Sequence, residues 1–544
     1  MKKNYLTAFE QNRGWILFIL LCLLWLPWLG STPFYTKGEP REAIVAVSML
    51  NSGNWILPVN GGWEFPFKPP MLAWLIAIFA KVFNGGEVNE DISRLPSALA
   101  AITMIMCGYL WASRLKGPEL ASRMALVTAT SFEVFRSATA CRVDMLLTAA
   151  MVCALYCLYM VYGTRCAPKE RRGLWLALAL VLLSIAVLTK GPVGCLLPCA
   201  IIAIYRLFNR DNFLKTAWQT CLIAICSLIV PAIWYYMACR QGGDVFFDVA
   251  WEENIGRLTG TMSYQSHVKP IWYNFVSLLG GMLPWTLLVV PGLIFIKRFK
   301  GDKIGDTGKF ALICACVVIL FYCIPQSKRS VYLMPAYPFL AYFVAICIEK
   351  LRYTLASIVF GWLIGFLGVL GPLSLMVESS AALVPGDLRV EGILPWAILI
   401  STIIISVTWL FFGARRAIGR NLVIYMLYLS YGAALMPALF REPLKTAHAT
   451  ELFQKIKDST MEVRTIGKGR MADEVYWFNF YLDDRIRRVE SIEEARSTLS
   501  PGDVVILPIS YNPQPLMQSG EWTIYLLPFN PDTRGPVNFA IRRE

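Results

Sequence analysis

Met71-Leu-Ala-Trp-Leu-Ile-Ala-Ile-Phe-Ala-Lys-Val-Phe-Asn84 is apolar almost throughout, yet it falls short of the ~20 residues that carry a helix across a bilayer. How it is read sets the topology of the whole chain. The next apolar run, about 95–113, ends in Arg114-Leu-Lys116, and basic residues in short loops collect on the cytoplasmic side. If 71–84 crossed the membrane, those charges would land outside. The stretch therefore reads as a helix lying in the interface, and residues 32–70 before it read as an outer loop.

The composition agrees with a membrane protein. Of 544 residues, 56% are hydrophobic and 16% charged, and the mean hydropathy is +0.52. Membrane helices satisfy their own backbone hydrogen bonds, so a polytopic helical chain follows. The net charge of +14 is accounted for by basic residues in short loops. No basic, aromatic-rich soluble module accompanies it, which excludes nucleic-acid binding. Most of the 15 cysteines lie inside apolar runs, where they act as small hydrophobes. Their spacing predicts neither a disulfide framework nor a structural zinc.

Outward from 71–84 the charges order the remaining spans. Lys2, Lys3 and Arg13 place the N-terminus in the cytoplasm, before a retained first span at about 15–31. Further spans fall at about 95–113, 121–138, 144–162, 173–189, 192–208, 216–238, 272–296, 309–325, 331–348, 355–376, 393–413 and 421–439. Each strongly basic short loop (164–172, 206–215, 297–300, 350–352, 415–420) then faces the cytoplasm, which is the check on the count of about thirteen spans. The C-terminus comes out on the outer face. Residues 1–439 form the transmembrane domain. Residues 440–544 are polar, with strand candidates Val463–Ile466 and Asp503–Leu507 and a helical stretch around Glu493, Glu494 and Arg496 between strands. They read as a small α/β domain outside the membrane.

On this topology the unusual polar residues meet outside: Glu39, Arg41, Glu42, Glu64 and Lys68 in the first outer loop, Arg142 and Asp144 before one span, and Lys190 after another. Glu252, Glu253, Arg257, Tyr264 and His267 follow in a second outer loop, and Ser327, Lys328, Arg329 and Tyr332 in a third. Charges at span edges are costly to desolvate and have a partner or a function. The plain readings are that Lys190 snorkels, that Arg142 and Asp144 pair with each other, and that Glu39, Arg41 and Glu42 form a solvated face. With two histidines in the chain, a histidine-based metal site is not expected. A carboxylate-held divalent cation stays open.

Gly38-Glu39-Pro-Arg41-Glu42-Ala43, Ser48-Met-Leu50, Gly53-Asn-Trp55, Lys68-Pro-Pro70 and Ser93-Arg94-Leu-Pro-Ser-Ala98 occur in order. Val143-Asp144-Met-Leu-Leu-Thr148, Thr189-Lys190-Gly191-Pro192, Leu283-Pro284-Trp285 and Ser327-Lys328 leading to Tyr332-Leu333-Met-Pro335 follow. Together these resemble bacterial membrane-bound GT-C glycosyltransferases, in particular the 4-amino-4-deoxy-L-arabinose lipid A transferases and the related protein O-mannosyltransferases. The resemblance covers about 15–350.

It implies a sugar donor on a polyprenyl phosphate, used at the outer face of the bacterial inner membrane. The acceptor would be lipid A, another envelope glycolipid or a protein hydroxyl, and the anomeric centre would invert. Arg41 and Lys68 match positions expected to bind the donor phosphate. Lys328 and Tyr332 occupy another matched motif that would supply further donors. Glu39 or Asp144 takes the catalytic role, while Glu42, Arg142, Lys190, Arg257 and Tyr264 contact the acceptor or substrate.

Two departures stand out. The family's Asp-Glu-x-Arg is Gly38-Glu39-Pro-Arg41 here, and its Phe-Glu-Lys-Pro is Pro66-Phe67-Lys68-Pro69. The second removes an acid that in relatives helps hold a metal, leaving Glu64 with His267 as substitute ligands. A transporter or flippase of a lipid-linked saccharide is the competing class. It would carry charges at mid-bilayer and paired interrupted helices.

Overall fold

The structure, a computed structural model, describes residues 2–30, 34, 36, 38–164, 167–256, 268–288, 305–350, 456–457, 459–466, 471, 473–507, 514, 518, 521–527 and 537–542. The expected spans at 355–376, 393–413 and 421–439, the end of that at 272–296, and the domain boundary near 440 lie outside these residues.

The chain opens with α1 (Lys2–Trp25) and a 3-10 turn, then α2 (Gly38–Ser52), α3 (Met71–Phe83), α4 (Glu90–Lys116), α5 (Pro118–Ala129), α6 (Phe132–Ala138), α7 (Val143–Tyr162), α8 (Lys169–Lys190) and α9 (Val193–Phe208). After α10 (Phe213–Trp251) come a π-turn (Glu252–Gly256), α11 (Trp272–Gly281), α12 (Asp306–Cys323), a 3-10 segment (Ser330–Ala336) and α13 (Tyr337–Lys350). Among the described residues, α4, α7, α8, α10, α12 and the run Ser330–Ile348 are long and apolar enough to cross a membrane. α7 is buried along nearly its whole length, at the centre of the bundle. α8 and α10 instead expose Leu174, Val181, Trp218, Leu222, Ile225 and Ile233, the apolar outer face that lipid requires.

Local chemistry sets the limits of these helices. The Asn89 side chain accepts from Ile92 N–H at 2.9 Å at the start of α4, Glu90 and Asp91 fill its first turn, and Arg114 and Lys116 fill its last. That is an N-cap with charges complementary to the helix dipole.

The helix ends sort into two groups. At one end, Asp306 at the start of α12 accepts from the Tyr205 hydroxyl of α9 at 2.7 Å and the Thr164 hydroxyl after α7 at 2.8 Å, and Lys116 Nζ comes close to Gly305. The basic loops that the sequence assigns to one side of the membrane are thus together. At the other end, the first turns of α2, α4 and α7 meet the last turns of α8 and α10.

α3 belongs wholly to that second end. Lys68, just before it, pairs with Glu253 after α10, and Lys81 in its last turn stands 5.1 Å above the Trp55 ring of the first outer loop. It runs across the end of the bundle, as its length predicts.

Among the described residues, the expected spans at 121–138, 272–296 and 331–348 are not single α-helices, the last opening as the 3-10 segment Ser330–Ala336 before α13. The run 121–138 breaks between α5 and α6. The hydroxyls of Thr128, Thr130 and Ser131 each donate to the carbonyl four residues back, at 2.6–2.8 Å, and such back-bonding bends helices. The freed Phe132 N–H donates to Leu283 O, and Trp285 Nε1 donates to Thr130 Oγ1 at 3.0 Å. The run 272–296 breaks after Gly281, just before Pro284, which has no N–H to continue a helix.

The C-terminal residues build a five-stranded mixed sheet from β1 (Val463–Ile466), β2 (Ile486–Val489), β3 (Val504–Leu507), β4 (Trp522–Leu527) and β5 (Val537–Arg542), ordered β2-β1-β3-β5-β4. β1 pairs parallel with β2 and β3, and β5 pairs antiparallel with β3 and β4. The crossovers carry α14 (Asp473–Tyr481) and α15 (Ile492–Thr498). Alternation along β3 divides the core. Val504 and Ile506 join α14 and the main hydrophobic core, while Val505 and Leu507 pack under α15, as the two-residue period of a strand demands.

Candidate active site

The site lies at the end of the bundle where α2, α7, α8 and the π-turn converge. Gly38 opens α2, and a Cβ there would meet Arg142 Nη2 at 2.5 Å. Only glycine admits the Arg142 guanidinium this close to the helix start. Two residues on, Asp144 in the first turn of α7 pairs with Lys190 Nζ from the last turn of α8. The same ammonium lies 4.4 Å over the Tyr332 ring, which packs 5.3 Å from Tyr322.

Gly191 caps α8 at φ +84°, and a Cβ would fall 2.0 Å from Asn254 Oδ1. The Thr189-Lys-Gly-Pro192 run is thus a left-handed cap that brings Lys190 against the π-turn. The neighbour of Asn254, Glu253, accepts from Lys68 Nζ at 2.7 Å. Arg41 stands 3.6 Å from Glu42 and 5.7 Å over the Phe67 ring.

Arg329, just before the 3-10 segment, completes the cluster. Burial and then Arg142 pull its pKa below the ordinary arginine value, Asp144 and Tyr332 oppose that, and Arg41 adds to it. The depression reflects burial of the guanidinium first and the neighbouring Arg142 second. Arg41, Lys68, Arg142, Lys190 and Arg329 face Glu42, Asp144 and Glu253, so the cations are in surplus.

Two cavities open on this cluster. One, of about 360 Å³, is lined by Arg41, Glu42, Asn60, Phe67 and Lys68. The other, of about 770 Å³, has Lys68, Lys190, Glu253, Ser327 and Tyr332 at its polar side and Val193, Leu196 and Phe321 along its apolar side. Lys68 lines both. A charged head with an apolar slot beside it is suited to an amphiphile whose anionic group is desolvated among fixed cations.

Among the residues singled out from sequence, Arg41, Glu42, Lys68, Lys190 and Tyr332 line the cavities, and Arg142 and Asp144 lie in the charge cluster behind them. Three others are placed differently. Glu39 has no exposed surface. Its Oε1 accepts from Arg94 Nε at 2.9 Å and Cys141 N–H at 3.2 Å, and its Oε2 accepts from Thr36 N–H and Oγ1, each at 3.2 Å. It lines neither cavity, and its carboxylate holds α2 against α4 and α7. The Thr36-x-x-Glu39 spacing of a capping box was the signal for this. Lys328 is buried, and its ammonium donates to the Pro325 carbonyl within its own turn. Its neighbours Ser327, Arg329 and Tyr332 reach the site instead.

Glu64 accepts from the Tyr476 hydroxyl at 2.6 Å and Met471 N–H at 3.4 Å. It is taken up by the C-terminal domain, and no group of three metal-ligating side chains occurs among the described residues. Arg257, Tyr264 and His267 lie outside the described residues. Glu253 and Arg329, which the sequence places among the outer charges without giving them a role, join the cluster. Consecutive acids directly after an apolar run, in a chain so poor in charge, mark the first.

Comparison with known proteins follows the same lines. The family profile of dolichyl-phosphate-mannose-protein mannosyltransferases matches residues 67–236. An uncharacterized protein of Aquifex aeolicus is 30% identical over 333 residues, covering 60% of this chain and 71% of its own length. An undecaprenyl phosphate-alpha-4-amino-4-deoxy-L-arabinose arabinosyl transferase of Shewanella sediminis is 27% identical over 336 residues. The match takes in 61% of this chain and 59% of that relative. The crystal structure of ArnT from Cupriavidus metallidurans bound to undecaprenyl phosphate superposes with a TM-score of 0.73 at 19% identity, covering 97% of this chain and 98% of that one. The likeness shows a shared fold. The chain thus carries the mannosyltransferase profile over 67–236, is similar to arabinosyl transferases over about three fifths of its length, and shares the ArnT fold.

Proposed function

We propose that this protein transfers a sugar from a polyprenyl-phosphate donor to an envelope acceptor at the outer face of the bacterial cytoplasmic membrane. The supporting observation is the cation surplus around Lys68, Arg41 and Arg329, beside a cavity with an apolar flank. The reaction breaks the bond between the anomeric carbon and the donor's phosphate oxygen. The bonding electrons leave with the phosphate, which goes from a singly charged diester to a more highly charged monoester. Fixed cations stabilise that developing charge most where water is excluded. Arg41 and Lys68 hold the phosphate, Tyr332 and Ser327 flank it, and the prenyl tail follows Val193, Leu196 and Phe321.

The carboxylates bear on the acceptor. A hydroxyl acceptor needs a general base. Asp144 is paired with Lys190, Glu253 with Lys68, Glu42 with Arg41 and Glu39 with Arg94. Each is engaged by a cation. This favours an acceptor that is already anionic, such as a glycolipid phosphate. Attack opposite the leaving phosphate inverts the anomeric centre. The N-terminus is cytoplasmic and the C-terminal domain is outside, because the basic loops gather at the end opposite the site. The relatives described above lend no support to the flippase alternative.

The test supplies purified protein with radiolabelled polyprenyl-phosphate sugar and envelope lipid extract. Consumption of donor with a new sugar-bearing lipid found by mass spectrometry supports transfer. Movement of intact donor across a vesicle membrane would refute it.

A further inference from the structure

The first outer loop is held from outside the bundle. Asn60 N–H donates to Glu64 O at 2.9 Å and Glu64 N–H returns to Asn60 O at 3.1 Å, closing a tight loop. This loop leads directly into Phe67 and Lys68. Its near side is tied to α2, the helix of Arg41 and Glu42, by Ser48 Oγ donating to Asn60 Oδ1 at 3.0 Å. Its far side is tied to the C-terminal domain. Gly61 N–H donates to Asp484 Oδ1 at 2.7 Å, and the Tyr476 hydroxyl donates to Glu64 Oε2 at 2.6 Å. Asp484 is itself fixed by Asn479 Nδ2 at 2.7 Å. Tyr476 and Asn479 lie on one short helix, α14, with almost no exposed surface. Asn51 at the end of α2 donates to Asp483 O at 3.0 Å, so α2 and the loop share one anchor.

We infer that the C-terminal domain is a positioning element of the donor site, in which Tyr476, acting through Glu64, fixes where Lys68 stands. The inference rests on the donor reading above and assigns the domain a role in it. Tyr476 touches no substrate. Removing its hydroxyl leaves a buried carboxylate short of a donor, which costs more than an ordinary hydrogen bond contributes. The loop must then shift, and Lys68 shifts with it.

The experiment uses the full-length protein in lipid nanodiscs and two readouts, hydrogen exchange at 60–68 without ligand and binding of polyprenyl phosphate. Tyr476→Phe is expected to speed exchange at 60–68 by about tenfold or more and weaken binding about tenfold, with exchange in β1 and β3 unchanged. Glu64→Ala should match it. Glu64→Gln still accepts from Tyr476 and should bind within about threefold of wild type. Unchanged exchange at 60–68 in Tyr476→Phe overturns the inference. So does Glu64→Gln falling as far as Glu64→Ala, which would mean that the charge and not the acceptor is needed. Wild-type protein that fails to bind polyprenyl phosphate overturns the donor reading, while the exchange measurement still judges the clamp.

Discussion

Asp144 and Glu39 are both acids beside the site, yet they call for opposite variants. Asp144 is surrounded by Lys190, Arg142 and Arg329. Asp144→Asn keeps the shape and removes the charge, so the three cations repel and Lys190 loses its anchor. Turnover is expected to fall by about 10²–10³ with the protein still folded, since such preorganised charges are worth that much. A donor-consumption assay beside a thermal melt checks both parts. Glu39 is expected to report on folding. Arg94→Met leaves its buried carboxylate unpaired, a change that costs about 3–5 kcal/mol, read as a lower melting temperature in detergent.

The sequence made the acids and bases visible because so few charges interrupt the apolar runs. It could not show which cation each acid meets. Glu39 reaches Arg94 across 55 positions and Lys68 reaches Glu253 across 185, distances over which no local pattern carries information.

At the scale of elements, the cap of α8 is the tightest junction. Gly191→Ala imposes a left-handed backbone on a residue with a Cβ and drives that Cβ into Asn254. Strain of this kind costs about 1–3 kcal/mol, and relief must separate α8 from the π-turn. The expected outcome is a lower melting temperature together with a raised KM for donor, because Lys190 and Glu253 stand on the two sides of that junction. Glu253→Gln is milder, since it keeps a hydrogen bond to Lys68 and removes only the charge. Its effect should appear in a steeper salt dependence of donor binding. Helix lengths and ends were largely legible, because apolar runs and basic loops mark them. The breaks after Ala129 and Gly281 were not. They depend on hydroxyls and carbonyls from two segments answering each other, as Thr130 and Trp285 do.

For the whole molecule, the sorting of helix ends is the testable property. A reporter active only outside the cytoplasm is expected to stay silent when inserted at 168–172 and to work when inserted at the exposed turn 500–502. The reverse result would place the site on the cytoplasmic side. The positive-inside pattern carried this much of the architecture by itself. The join between the sheet domain and the first outer loop was invisible, because Tyr476, Asn479 and Asp484 read as unremarkable residues of a polar tail until they meet Gly61 and Glu64.

The helix α3 runs across the bundle end with Ile78, Val82 and Phe83 exposed on it. On the interfacial placement that its length predicts, it occupies a single leaflet and feels that leaflet's thickness and lateral pressure, to which the through-going helices respond far less. Because Lys68 leads straight into α3, acyl-chain length should tune the grip on the carrier: reconstitution into bilayers that differ only in thickness ought to move donor affinity while the melting temperature stays nearly constant.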